Sequence, residues 1–309
     1  MKRFYIAIIL FTLPIFVFMG GAEFGARQIP NYYSYKYNWM DKHAEEVETL
    51  VLGSSHSLNG IIPRYLGKNS FNLALPGQTL KYDAYLFFRW ADRYKNLKLV
   101  VLPISYFSFF MDHSEWIGET YSKIYLKSPF HSDFSRYNLE MLEFKPLHSK
   151  IYLWRTGNEE YVKERGWLPM YLKDKNEYTW NLEHKNIHGV KEHTIESWEF
   201  VNNNYKLVSE MINYCQKNGI EIVLTTTPQY KDYNIHLDKT QLGKMYELIR
   251  DLQREYGVTY LNYLQDDRFC ADDFYDPSHL CEIGAKKLTL ILCSDIRKDN
   301  INKRNDFSK

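Results

Sequence analysis

The sequence predicts an α/β fold in which a parallel sheet of about five strands is covered by helices on both faces. Three observations predict it. From residue 48 onward, short apolar runs alternate with helix-length stretches, as in successive strand–helix–strand units. One run, LKLVVLPI (97–104), is apolar on both faces, continuously so from Leu99, as suits a buried parallel strand. The chain has 309 residues, 45% hydrophobic and 25% charged, enough for one large α/β domain with insertions or two small ones.

The elements follow in order. Lys2 and Arg3 precede an uncharged stretch, Phe4 to Ala22, close to the ~20 residues that cross a bilayer. Residues 1–22 are therefore read as a signal anchor, with cleavage after a small residue such as Ala22 as the alternative. The basic start favours a cytoplasmic N-terminus and export of the rest. Residues 23–47 form a juxtamembrane segment whose NYYSYKYNW stretch (31–39) suits the headgroup level or packing on the domain. The domain spans 48–295. It opens with the run Thr49-Leu50-Val51-Leu52 ending at Gly53, followed by SFNLAL (70–75), a helix over 79–95 and the strand at 97–104. Residues 111–200 hold five of the seven tryptophans and no clear period, and are read as one insertion over an end of the sheet. The rhythm resumes with a helix over 201–217, a strand at 219–228, a helix over 239–255, a last strand at 257–263 and a helix over 279–294. The tail 296–309 is polar and expected to fray.

Composition excludes some functions. The net charge is +1 without a basic stripe, which argues against nucleic acid as a partner. Cys215, Cys270, Cys281 and Cys293 show no paired spacing, which argues against a zinc site. Cys270 with Cys281 is the one pair worth testing as a disulfide; unpaired cysteines are the alternative. No glycine-rich phosphate loop with Lys-Ser/Thr is present, so neither a nucleotide nor another cofactor is implied.

In open α/β sheets, working groups collect beyond the carboxyl ends of the strands. Two loops there carry chemistry. The first holds Gly53-Ser54-Ser55-His56-Ser57, whose bland reading is a polar turn with helix-capping serines. The second holds Asp276-Pro277-Ser278-His279. A serine nucleophile needs a base to take its proton and a partner to hold that base's tautomer. Asp276 and His279 supply both roles in one short segment, although Asp276 is equally suited to cap a helix opened by Pro277. His56 is adjacent to Ser55, and neighbours on a tight turn point apart. It is read as a substrate contact rather than a base, as are Tyr106 and Thr227, while Ser57 suits a helix cap.

On these two motifs the chain resembles the SGNH/GDSL hydrolase superfamily, whose members have a flavodoxin-like three-layer fold. Gly53-Ser54-Ser55 matches its first block, Gly-Asp-Ser, and Asp276-x-x-His279 matches its last. The resemblance covers about residues 48–110 and 201–295. It implies Ser55 as nucleophile, His279 as base and Asp276 as the orienting carboxylate, with the backbone N–H groups of Ser55 and Gly77 facing the oxyanion. Ser54 stands where the pattern has Asp. The third block, Gly-x-Asn-Asp, reads Leu102-Pro103-Ile104-Ser105-Tyr106 and lacks the asparagine donor, so Ser105 is offered as a third oxyanion donor. A lost side-chain donor removes ~3 kcal/mol of transition-state stabilisation. The departures are similar to those of membrane-anchored proteins of envelope-polysaccharide acylation, including teichoic-acid D-alanyl transfer proteins. The implied activity is a serine esterase or O-acyltransferase outside the cytoplasm, acting on acylated polysaccharide beside a membrane-bound acyltransferase. The alternative is a catalytically degenerate domain that binds glycan as an accessory.

Overall fold

The computed structural model describes residues 1–112, 119–130, 139–142, 144–157, 160–180 and 189–306. Two compact units emerge, Met1–Asn38 with Ile117–Glu159, and Trp39–Trp116 with Glu160–Lys309. The stretch read from sequence as one insertion, 111–200, is thus shared between them.

In the first unit, α1 (Lys2–Gln28) is 27 residues long, about 40 Å at 1.5 Å per residue. It is long and apolar enough to cross a membrane. Phe11, Phe16, Val17 and Phe18 stand at 66–75% exposure, as a lipid-facing helix would leave them. Pro14 lies inside it, which membrane helices tolerate. Beyond the apolar stretch the helix enters the folded unit. Glu23 accepts the N–H groups of Glu140 and Met141, each at 3.0 Å, and pairs with Arg27 at 2.6 Å. The Lys150 Nζ donates to Glu140 Oε1 and to Ala26 O at 2.6 Å, and to the Tyr125 hydroxyl at 2.7 Å. Lys150 and Glu140 are both buried. The helix runs past residue 22 because its last turns have polar partners there.

The second unit holds the sheet. Its strands are β1 (Thr49–Val51), β2 (Ser70–Asn72), β3 (Leu99–Pro103), β4 (Glu221–Thr226) and β5 (Thr259–Asn262). All pair in parallel, in the order β2-β1-β3-β4-β5. Register aligns Val51, Val101 and Val223 in one row. That row packs against Ala285, Leu288, Leu292 and Ile296 of the long C-terminal helix. After α2 (Tyr32–His43) and β1, the short helix α3 (Ser55–Gly60) lies on the same side as that C-terminal helix and against it. The other layer is formed by α4 (Leu80–Arg89), α5 (Val201–Lys217) and α6 (Lys239–Tyr256). In α5 the buried residues Asn204, Val208, Met211, Ile212 and Cys215 form one helical stripe. Asp238 caps α6 by accepting from the Thr240 and Gln241 N–H groups. The result is the predicted three-layer α/β/α fold with five parallel strands.

Some boundaries differ from expectation. β2 ends at Asn72, yet pairing continues irregularly through Leu73 N to Val51 O (2.8 Å) and Leu75 N to Gly53 O (3.2 Å). Two short antiparallel strands, β6 (Phe274–Asp276) and β7 (His279–Leu280), follow β5. The last helix, α7, therefore begins at Glu282 rather than 279 and runs to Asp306. Its polar end does not fray through 306, because nothing in that stretch breaks a helix and two contacts tie it to the sheet. Thr259 Oγ1 donates to Asp299 Oδ2 (2.6 Å), and Asn300 Nδ2 donates to Glu221 Oε2 (3.0 Å). All four cysteines are free thiols, so Cys270 and Cys281 are not paired; Cys281 Sγ instead bonds Asp272 O (3.2 Å).

Candidate active site

Strand order reverses around β1, which lies between β2 and β3, and a crevice forms at such a point beyond the carboxyl ends of the strands. The chain leaves β1 through Gly53 at φ +105°, a conformation open to glycine and strained for other residues. A Cβ there would clash with Ser57 Oγ. The sharp turn sets Ser55 at the first position of α3, where helical N–H groups have no acceptor within the helix. Asn72 braces α3 from beneath. It is fully buried, donates to Ser57 O and Ile61 O (2.9 Å each) and accepts from Ala74 N (3.0 Å). Residues 160–180 close the far side of α3, with Trp167 Nε1 donating to Asn59 O (2.7 Å) and Asn59 Nδ2 to Leu168 O (2.8 Å).

The β6–β7 turn brings His279 to Ser55. His279 Nε2 lies 2.9 Å from Ser55 Oγ. Its Nδ1 lies 3.0 Å from both carboxylate oxygens of Asp276. Asp276 Oδ1 also accepts the N–H groups of Ser278 and His279 at 2.9 Å and the Ser278 hydroxyl at 3.0 Å. Asp276 thus caps its own turn rather than α7. Burial alone would raise the Asp276 carboxyl, but His279 and the hydrogen bonds from His279 and Ser278 hold it well below its ordinary value. With Asp276 ionised, Nδ1 carries the proton and Nε2 faces the Ser55 hydroxyl as acceptor. Serine, imidazole and carboxylate stand in the relay a serine nucleophile requires.

Around this relay the expected donors divide. The Ser55 N–H, in the first turn of α3, meets no acceptor among the described residues, and neither does the Gly77 N–H. The Leu75–Gly53 contact holds the Pro76-Gly77 turn against the turn that carries Ser55. Ser105 stands differently. Its N–H donates to Ser108 Oγ (2.8 Å) and its hydroxyl meets His56 Nδ1 (2.9 Å), so both groups are engaged by the protein. His56 is buried beside the site, its ring centroid 5.3 Å from that of His279. Burial above all, and the neighbouring His279 and His193 rings that oppose a further proton, hold its pKa well below the ordinary value. The three expected substrate contacts, His56, Tyr106 and Thr227, are all buried. The Tyr106 hydroxyl accepts the Asp238 N–H (3.0 Å) and meets Thr194 Oγ1 (3.1 Å).

Two residues near the site carry no sequence signal. His193 lies on a short helical stretch over 189–193. Its ring stacks on Phe107 at 4.3 Å, and its Nδ1 meets the Tyr233 hydroxyl at 2.7 Å. Burial lowers its pKa to about 4. Asp83, on α4, accepts the Gly53 N–H at 2.7 Å. Among the described residues no group of three or more His, Cys, Asp or Glu is arranged to hold a metal ion.

A family model described as a protein of unknown function, DUF1574, matches residues 137–293, about half of the chain. The chain belongs to this family. The matched stretch takes in β4, β5, Asp276 and His279 and leaves Ser55 outside it. Among solved structures, a candidate acylhydrolase from Bacteroides fragilis is similar over 87% of this chain and 99% of its own, at 9% identity and a TM-score of 0.44. A GDSL-like lipase from Bacteroides thetaiotaomicron is similar over 87% of this chain and 100% of its own, at 13% identity and a TM-score of 0.42. No curated protein matches.

Proposed function

We propose that this protein is a serine esterase or O-acyltransferase that works outside the cytoplasm on acyl esters of cell-envelope polysaccharide. The observation that carries the reading is the chain of contacts from Ser55 Oγ through His279 to Asp276, at 2.9 and 3.0 Å. Ser55 Oγ attacks the ester carbonyl carbon while His279 Nε2 takes its proton. The N–H groups of Ser55 and Gly77 face the oxyanion as it forms. Collapse breaks the ester C–O bond, His279 returns the proton to the leaving alcohol, and an acyl-serine remains. Water or a sugar hydroxyl then attacks the acyl carbon, giving its proton to His279 and restoring the Ser55 hydroxyl. Asp276 stabilises the imidazolium at both stages.

Location and substrate rest on other features. Lys2 and Arg3, in the first turn of α1, favour an N-terminus retained in the cytoplasm, with the chain beyond the apolar stretch on the far side. Beside the relay, Tyr230 N donates to Pro277 O (2.9 Å), and the Trp180 ring lies 5.0 Å from that of Tyr230. An aromatic pair next to the His279 turn suits stacking on a sugar ring. A membrane-bound acyltransferase that supplies the acyl group is the expected partner.

The test is covalent labelling of the detergent-solubilised protein by a fluorophosphonate, with release of acetate from acetylated polysaccharide as the second readout. Labelling of wild type and its loss in Ser55→Ala support the reading. A wild type that never labels, or a Ser55→Ala protein that still does, refutes it and favours glycan binding without catalysis.

A further inference from the structure

The peptide groups on both sides of Gly53 are pinned from outside the nucleophile motif. On the C-terminal side, Gly53 O accepts the Leu75 N–H at 3.2 Å. On the N-terminal side, Gly53 N donates at 2.7 Å to Asp83 Oδ1, and the same oxygen accepts from Gln78 Nε2 at 2.5 Å. Asp83 is only 2% exposed. One carboxylate oxygen therefore joins the turn that carries Ser55 to the turn that carries Gly77. Ser54, which stands where the SGNH/GDSL pattern has its Asp, makes no such link, since its buried hydroxyl has no partner among the described residues.

We propose that Asp83 is a positioning residue that locks the nucleophile turn to the oxyanion turn, and so sets the separation of Ser55 from the Gly77 N–H. The inference rests on the reading of Ser55 as nucleophile. Its physical basis is the freedom of glycine. At φ +105° Gly53 has no side chain to bias its backbone, and its flanking peptides can rotate unless hydrogen bonds hold them. The Gly53 N–H has no other acceptor among the described residues, so losing Asp83 orphans a buried donor at the point where the chain turns toward Ser55. Burial pushes the Asp83 carboxyl up to about 7, against the pull of the Gln78 and Gly53 bonds. A leucine would fill this space without that cost, so a carboxyl here answers to hydrogen bonding rather than to packing.

Three variants of the full chain in detergent test this: Asp83→Asn, Asp83→Leu and Gln78→Met. Two quantities are read, the rate of fluorophosphonate labelling and the hydrogen exchange of peptides spanning 50–58 and 73–79. Asn keeps an acceptor oxygen for both donors, and it labels within about threefold of wild type. Leu slows labelling about 100-fold, the scale set by a displacement of about 1 Å at a reacting group, and both peptides exchange faster together. Gln78→Met slows labelling by about 10-fold and loosens mainly 73–79, so the proposal stays testable if Asp83→Leu does not fold. Unchanged labelling and exchange in Asp83→Leu or Gln78→Met overturns it, as does Asp83→Asn failing as badly as Leu. If wild type does not label at all, the reading of Ser55 fails, and joint loosening of the two peptides in Asp83→Leu decides the link by itself.

Discussion

Replacing Asp276 by asparagine changes one atom of the relay and reverses its logic. The amide oxygen of the new side chain can still accept the N–H groups of Ser278 and His279 and the Ser278 hydroxyl, contacts that lie at 2.9–3.0 Å in the native turn. The turn is therefore expected to keep its shape. The second carboxylate oxygen becomes an NH2 group, so Nδ1–H, which meets both oxygens at 3.0 Å, keeps only the oxygen already shared with three other donors and faces a new donor at the other position. The imidazole responds by moving its proton to Nε2, which then faces Ser55 Oγ at 2.9 Å as a donor and cannot take the serine proton. The variant also loses the negative charge that stabilises the imidazolium. Together these effects lower the acylation rate by about 10³–10⁴-fold, equivalent to about 4–5.5 kcal/mol of barrier. Pre-steady-state labelling by a fluorophosphonate, or hydrolysis of 4-nitrophenyl acetate, measures the fall, with the thermal midpoint as the check on folding. An Asp276→Asn protein that is folded and reacts within tenfold of wild type refutes the relay.

Three further outcomes are expected. Gly53→Ala forces a side chain into a positive-φ position and against Ser57 Oγ, at a cost of about 2 kcal/mol or more; denaturant titration reads it, and adding Ser57→Ala relieves the contact but not the backbone strain. Lys150→Met leaves Glu140 buried without its cation and destabilises the first unit by about 3 kcal/mol, whereas the double variant with Glu140→Gln recovers part of the loss in the same titration. His193, with its pKa lowered from 6.5 to about 4 by burial, stays neutral in the folded state while the unfolded chain takes up a proton. Its contribution is then fully present above pH ~6.5 and lost as pH falls toward ~4. The urea midpoint should drop across that window, less steeply in His193→Gln, and an unchanged slope would show that the ring is not held neutral by the fold.

Much of this protein is set locally and can be read without a structure. The apolar run of 97–104 and the helices over 201–217 and 239–255 depend on neighbours within a few positions, so periodicity finds them. The turn that carries Ser55 is equally local, because Gly53 supplies a conformation the next residues need. So is the Asp276–His279 pair, whose contacts span three residues. Other features depend on what the chain meets in space. Ser105 and Tyr106 looked available as single letters, yet Ser105 is engaged by Ser108 and His56, and Tyr106 by Thr194 and the Asp238 N–H. His193 and Asp83 reach the site from stretches without a motif, so only the fold brings them to Phe107 and to Gly53. The same holds for the polar end of α7 and for the turns of α1 beyond residue 22. Local pattern determines which segments form strands and helices and where a reactive turn sits; burial and long-range hydrogen bonds decide which polar groups remain free to act, because a group's partners are chosen by distance in space and not by distance along the chain.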